Sequence, residues 1–242
     1  MSYNSPLRRD TLPRSSHPSD LTEIDTGLRQ YMLRVYNFMA AGLGLTGLVA
    51  YSAVASGLYA QIAATPLIWL VMLAPLALVL LLSFRIQHMS VGAAQASFWG
   101  YAALMGLSLA GIFLIYTGTS VARVFFISAA TFAATSLYGY TTRRDLSRYG
   151  SFLFMGLVGI VLASVVNIFV ASSAVQFAVS VIGVIVFTGL TAWDTQRIKE
   201  IYLESDPGDV LAKKAVMGAL ALYLDFINLF MMLLQLTGQR RD

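Results

Sequence analysis

Residues 219–234 read ALALYLDFINLFMMLL, an apolar run broken by one carboxylate, Asp225. At 1.5 Å per residue, Asp225 lies about 16 Å of helix beyond Lys214. An ionised carboxylate at that depth costs about 2.5–3.5 kcal/mol on insertion scales, so its side chain is expected to face protein or water.

The run belongs to the last of seven apolar stretches. They occupy about 33–54, 65–84, 93–116, 121–141, 150–171, 174–194 and 214–237. Each approaches the ~20 residues that cross a bilayer as helix. Composition agrees: of 242 residues, 57% are hydrophobic and 12% charged, and the mean hydropathy is +0.71. Soluble domains carry about 25% charged residues, so an ordinary water-soluble enzyme is excluded. The sequence therefore reads as an all-α polytopic membrane protein, a seven-transmembrane-helix bundle over residues 29–242. The polar segment 1–28, with Pro6, Pro13 and Pro18, reads as a disordered cytoplasmic tail that becomes ordered near Ile24–Leu28. Ala40 with Gly44, Gly156 with Gly159, and Gly183 with Thr188 are the expected close-packing positions between helices.

Charge sets the expected orientation. The net charge is +4, but the basic residues lie between apolar runs, which points to membrane topology and not to nucleic acid. With the N-terminus in the cytoplasm, the inner side holds Arg8, Arg9, Arg14, Arg29, Arg34, Arg85, Arg143, Arg144, Arg148, Arg197, Lys199, Lys213 and Lys214. The outer side then holds Arg123, with Arg240 and Arg241 joining it if the last stretch crosses fully. A re-entrant last stretch would return those two to the inside, so the count leaves the side of the C-terminus open.

Several chemistries drop out. There is no Cys, so thiolate metal sites, disulfides and Cys nucleophiles are excluded. No HExxH, GxSxG, Walker or GxGxxG pattern occurs in a usable context, and no enzyme activity or cofactor is expected. An intramembrane aspartyl protease would carry GxGD at its second aspartate, where this chain has YLDF.

A second acid completes the candidate site. Asp194 ends the sixth stretch in VFTGLTAWDTQRIKEIY. The midpoint between Asp194 and Asp225 falls beside Ser205-Asp206-Pro207-Gly208, a turn signal. Helices continued into that turn form an antiparallel hairpin whose two carboxylates differ in height by about 7 Å, close enough for helix tilt to bring them face to face. Such a pair shares a proton in acid and repels when both members ionise, by about 4 kcal/mol at 4 Å and an effective dielectric of 20. Doubly ionised, it offers oxygen ligands to Ca²⁺, though fewer than the usual six to eight. Arg85, in LLLSFRIQHMS, is a candidate counter-charge. Asn228, one turn after Asp225, is a candidate supporting hydrogen-bond partner on the same face.

The blocks GLTAWDTQRIKEIY (189–202) and ALYLDFINLFMMLLQL (221–236) resemble the Bax inhibitor-1, or transmembrane Bax inhibitor motif, family, in particular its bacterial YccA/YbhL-like branch. LSFRIQHMSV, ALMGLSLAGIFLIYTG and LYGYTTRRDLS support the likeness, which runs from about residue 28 to the C-terminus. The resemblance implies a seven-helix bundle with the last helix at its centre. It also implies a pH-sensitive Ca²⁺ leak controlled by a di-aspartyl pair, here Asp194 and Asp225, in an inner membrane. Arg85 would correspond to a latch between the second helix and the aspartate of the sixth. Two family features are absent: no Glu lies in 65–84, and Gln235 stands where some relatives carry Arg. One bacterial branch is linked to modulation of a membrane-anchored protease, which gives an alternative role as an interaction protein. Proton-coupled transport of a small solute, with the aspartates as a relay, is a third.

Overall fold

The computed structural model describes the backbone of residues 18–241 and the side chains of residues 26–241. The long helices are α1 (Pro18–Ala55), α3 (Leu67–Arg85), α4 (Val91–Leu109), α6 (Gly118–Thr141), α7 (Ser147–Val170), α8 (Ser173–Glu200) and α9 (Gly208–Thr237). Two short helices, α2 (Leu58–Ala63) and α5 (Ile112–Ile115), fill connections, and a 3-10 turn at Ile86–His88 extends α3. All seven apolar stretches become helices long and apolar enough to cross a membrane.

The helices outrun the apolar stretches that announce them. The sixth continues past Asp194 to Glu200, the seventh starts at Gly208, and the first starts at Pro18. Hydropathy registers only the part of a helix that sits in hydrocarbon, whereas helix geometry carries on into the interface. Arg197 and Lys199 in the last turn of α8 and Asp209 in the first turn of α9 suit the helix dipole there. Part of the segment read as a disordered tail is therefore helix, and residues 1–17 lie outside the described residues. Ser90, Thr117 and Ser172 start α4, α6 and α8 by accepting from the backbone N–H three residues on.

The bundle is organised around α9. In its most apolar window 61% of residues are buried, against 11% for α3 and for α7. Aromatic side chains join the surrounding helices to it. Tyr223 meets Phe98 and Tyr101 of α4 at ring separations of 6.2 and 5.5 Å, and Phe226 meets Phe125 and Phe132 of α6 at 5.4 and 5.7 Å. The Tyr223 hydroxyl is held at 2.6 Å by Thr46 of α1. Elsewhere glycine lets backbones touch: a Cβ on Gly139 would collide with the Ala192 carbonyl of α8, and one on Gly106 with that of Thr46. Gly44 and Gly159, expected packing positions, face open space.

The end of α9 is fastened. Thr117 N–H donates to the Gln239 carbonyl (3.0 Å), Arg241 N–H to the Ile115 carbonyl (2.9 Å), and Gln239 N–H to Ser120 Oγ (2.9 Å). The connection from α5 to α6 follows three crossings, so it lies on the face opposite the start of α1. A full crossing of α9, with its end on that same opposite face, follows; re-entry does not.

Candidate functional site

α8 and α9 form the antiparallel hairpin expected from the turn signal. Its connection is closed by Lys214, which donates to the Ile201 carbonyl at 2.8 Å and pairs with Asp206. α1 supports the same turn: the Tyr31 and Tyr202 rings lie 5.4 Å apart, and the Tyr202 hydroxyl sits over Gly27, where a Cβ would push it aside. Lys213 reaches across to the carbonyls of Gln87 and Met89, tying the base of α9 to the end of α3.

This hairpin brings Asp194 and Asp225 together, within hydrogen-bonding reach of one another. Asp225 is buried on the central helix, whereas Asp194 is half-buried. Asp225 Oδ2 has no hydrogen-bond partner among the described residues, although it is shut away from solvent. The charged groups that act on the pair are each other and Arg197, one turn after Asp194, whose guanidinium lies 5.3 Å from the Trp193 ring centroid. A buried carboxyl facing another carboxyl is stable only while a proton lies between them or a cation replaces it. Among the described residues no group of three or more His, Cys, Asp or Glu gathers to hold a metal ion. The pair can contact a cation without completing the shell Ca²⁺ prefers.

Two candidate partners stand elsewhere. Arg85 is exposed at the end of α3 and makes no ion pair among the described residues; the basic neighbour of Asp194 is Arg197, on its own helix. The latch read from resemblance is therefore not made in this structure, because Arg85 ends α3 at the interface, where its cation stays solvated. Asn228 does not support Asp225 either. Its amide donates back to the Leu224 carbonyl at 2.8 Å, the ordinary way a polar side chain in an apolar helix satisfies itself.

The other residues of WDTQRIK have structural tasks. Thr195 Oγ1 lies 2.9 Å from Ser136 Oγ on α6, which lies 2.6 Å from the Tyr36 hydroxyl on α1. Gln196 clamps the α6–α7 connection, its amide donating to the Arg144 carbonyl and its oxygen accepting from Leu146 N–H, both at 2.8 Å. Lys199 donates to the Tyr140 carbonyl at 2.9 Å, its ammonium 5.7 Å from that ring. One short motif thus faces the central helix with Asp194, fastens α6 with Thr195 and Lys199, and fastens the α6–α7 connection with Gln196. The Thr195 contacts were missed in the sequence. Their signal was Thr191 and Thr195 at helical spacing around Asp194, two hydroxyls in an otherwise apolar run.

Residues 28–242 match the family described as Bax1-I, inhibitor of apoptosis-promoting Bax1. A Rickettsia prowazekii protein, RP147, is 49% identical over 219 residues, 90% of this chain and 93% of the relative. The inner membrane protein YbhL of Escherichia coli is 48% identical over 236 residues, 96% of this chain and all of the relative. A Caulobacter vibrioides protein is 43% identical over 244 residues, 94% of this chain and 96% of the relative. With a seven-helix membrane bundle, the motif hairpin and these relatives, the chain belongs to the Bax inhibitor-1 family, alongside its bacterial YbhL-like members.

Proposed function

We propose that this chain is a pH-sensitive cation leak, with Ca²⁺ the permeant ion, in a bacterial inner membrane, and that its N-terminus lies in the cytoplasm. The name of the YbhL relative and the 13-to-3 excess of basic residues, counted for seven full crossings, support the location and orientation. The observation that carries the reading is the Asp194–Asp225 pair: two carboxyls from adjacent helices within hydrogen-bonding reach of one another, one of them buried on the central helix. Such an arrangement is costly in a purely structural bundle, and intramembrane acids of this kind mark ion and proton paths.

In acid the pair shares a proton and holds α8 against α9. When that proton leaves, two carboxylates about 4 Å apart repel by about 4 kcal/mol at an effective dielectric of 20, roughly a thousandfold bias toward separation. Cations then meet two negative charges part-way along the central helix, too few ligands to trap Ca²⁺ and enough to admit it. Conductance therefore rises with pH.

The test is Ca²⁺ flux into proteoliposomes across pH 5–8 for the wild type and Asp225→Asn. The expected result is a flux that climbs with pH in the wild type and is insensitive to pH in the variant. A variant with unchanged pH response would overturn the role of the pair. Absence of flux above empty vesicles at every pH would overturn the leak and favour a protein that modulates a membrane-anchored protease through its surfaces.

A further inference from the structure

Between α1 and α6 the wall of the bundle is incomplete. A groove of about 770 Å³ opens there toward the outside of the bundle. Met32, Leu33, Phe132, Ala133 and Leu137 give it apolar surface, with Met32 and Phe132 buried at its floor and the other three exposed. At its back the Tyr36 and Ser136 hydroxyls bond to each other, so they present no unpaired polar group to an occupant. The groove runs from Arg29 to Tyr36 along α1 and from Tyr140 to Phe132 along α6, about 10–12 Å of depth at 1.5 Å per residue. Both helices are membrane spans, and the groove lies at the same end of the two: at the start of the first and at the close of the fourth.

One end differs from the rest. Arg29 lines it, exposed and without an ion-pair partner among the described residues. Lys199 is not itself a lining residue, but its ammonium lies against the carbonyl and ring of Tyr140, which lines that end. One exposed lining cation at the end of an apolar slot, with a second held against a lining residue, matches an anionic headgroup carrying an acyl chain. A zwitterionic lipid fills the slot equally well but leaves the cations without a net counter-charge. A soluble anion satisfies the cations and leaves the slot open.

We propose that the α1–α6 groove is a seat for an anionic diacyl phospholipid, its phosphate at Arg29 and Lys199 and one acyl chain lying over Phe132. The bound lipid then rests on the Tyr36–Ser136–Thr195 hydroxyl chain, whose last member is adjacent in sequence to Asp194. This assignment does not depend on the leak reading.

The experiment is native mass spectrometry of the full chain extracted into detergent and supplied with equal amounts of phosphatidylglycerol and phosphatidylcholine. Wild type, Arg29→Gln, Ala133→Trp and the control Arg148→Gln are compared, with helix content checked by circular dichroism. The wild type and the control are expected to retain phosphatidylglycerol preferentially. Arg29→Gln should retain it about fivefold less, the effect of one basic contact. Ala133→Trp, which fills the groove and keeps its charges, should lose retention as well; Leu137→Trp replaces it if that variant does not fold. Equal retention of the two lipids by the wild type would overturn the proposal. So would undiminished phosphatidylglycerol on a folded groove-filling variant, because the contact would then involve charge outside the groove.

Discussion

α3 and α9 are both apolar helices of membrane length, and the more apolar of the two is the less buried. α3 turns Trp69, Leu73, Leu76 and Phe84 outward and packs mainly on α4. α9 carries Tyr223, Asp225 and Asn228 and is enclosed by α1, α4, α6 and α8. In water the more hydrophobic element seeks the interior. In a bilayer lipid tails are as apolar as leucine, so hydrophobicity does not choose between inside and outside. What chooses is polarity: a carboxyl or a hydroxyl must be kept from hydrocarbon, and the helix that bears one is drawn to the centre.

The contrast can be broken most sharply by cutting the same side chain from both helices. Leu229 on α9 is fully buried, whereas Leu73 on α3 is 59% exposed. Leu229→Ala should destabilise the protein by about 2–5 kcal/mol, as in other well-packed cores. Leu73→Ala should change stability by less than about 0.5 kcal/mol, as expected for a side chain outside the packed interior. Reversible unfolding in mixed detergent reads both, and equal losses would mean that α9 is not the packing centre.

A smaller effect sharpens the comparison at the level of backbones. Gly139 meets the Ala192 carbonyl across the α6–α8 contact, whereas Gly159 on peripheral α7 meets nothing. Gly139→Ala should cost about 1–3 kcal/mol through overpacking. Gly159→Ala should be neutral or slightly stabilising, since alanine is the better helix former. The same unfolding assay separates them.

The smallest effect lies outside the bundle, in the α6–α7 connection. The Asp145 carboxylate accepts from Ser147 N–H at 2.8 Å, and the Ser147 backbone and hydroxyl together hold its pKa below the ordinary carboxylate value. A depressed folded-state pKa means the contribution is complete above about pH 4, the unfolded range for Asp, and fades as pH falls through the lower folded value. The stability difference between wild type and Asp145→Ala should therefore be small at pH 7 and shrink further below pH 4. A difference that grows in acid would reverse the sign.

These comparisons also explain what the chain disclosed beforehand. The seven spans were legible because ~20-residue apolar runs leave few alternatives in a bilayer. The approach of Asp194 to Asp225 was legible because the turn at Ser205–Gly208 fixes the middle of a hairpin, and helical rise does the rest. The centrality of α9 followed from family resemblance, and hydropathy alone would have pointed to α3. Arg85 was a candidate latch by resemblance and by its place at the end of the second span, neither of which fixes how neighbouring helices are rotated, and it stands exposed with no ion pair among the described residues. The same ignorance made Gly44 and Gly159 look like contacts and hid Gly139 and Gly106.

The helix that fills the centre follows the other six in the chain. During synthesis the six surrounding helices leave the ribosome before α9 does, so their common partner arrives only after all of them. Until then Asp194 has no opposing carboxyl, and the aromatic faces of α4 and α6 line an unfilled space. A chain cut short before Gly208 keeps every peripheral helix and lacks the one they pack around. A stop codon just before Gly208 should therefore be as damaging to assembly as one placed within α1.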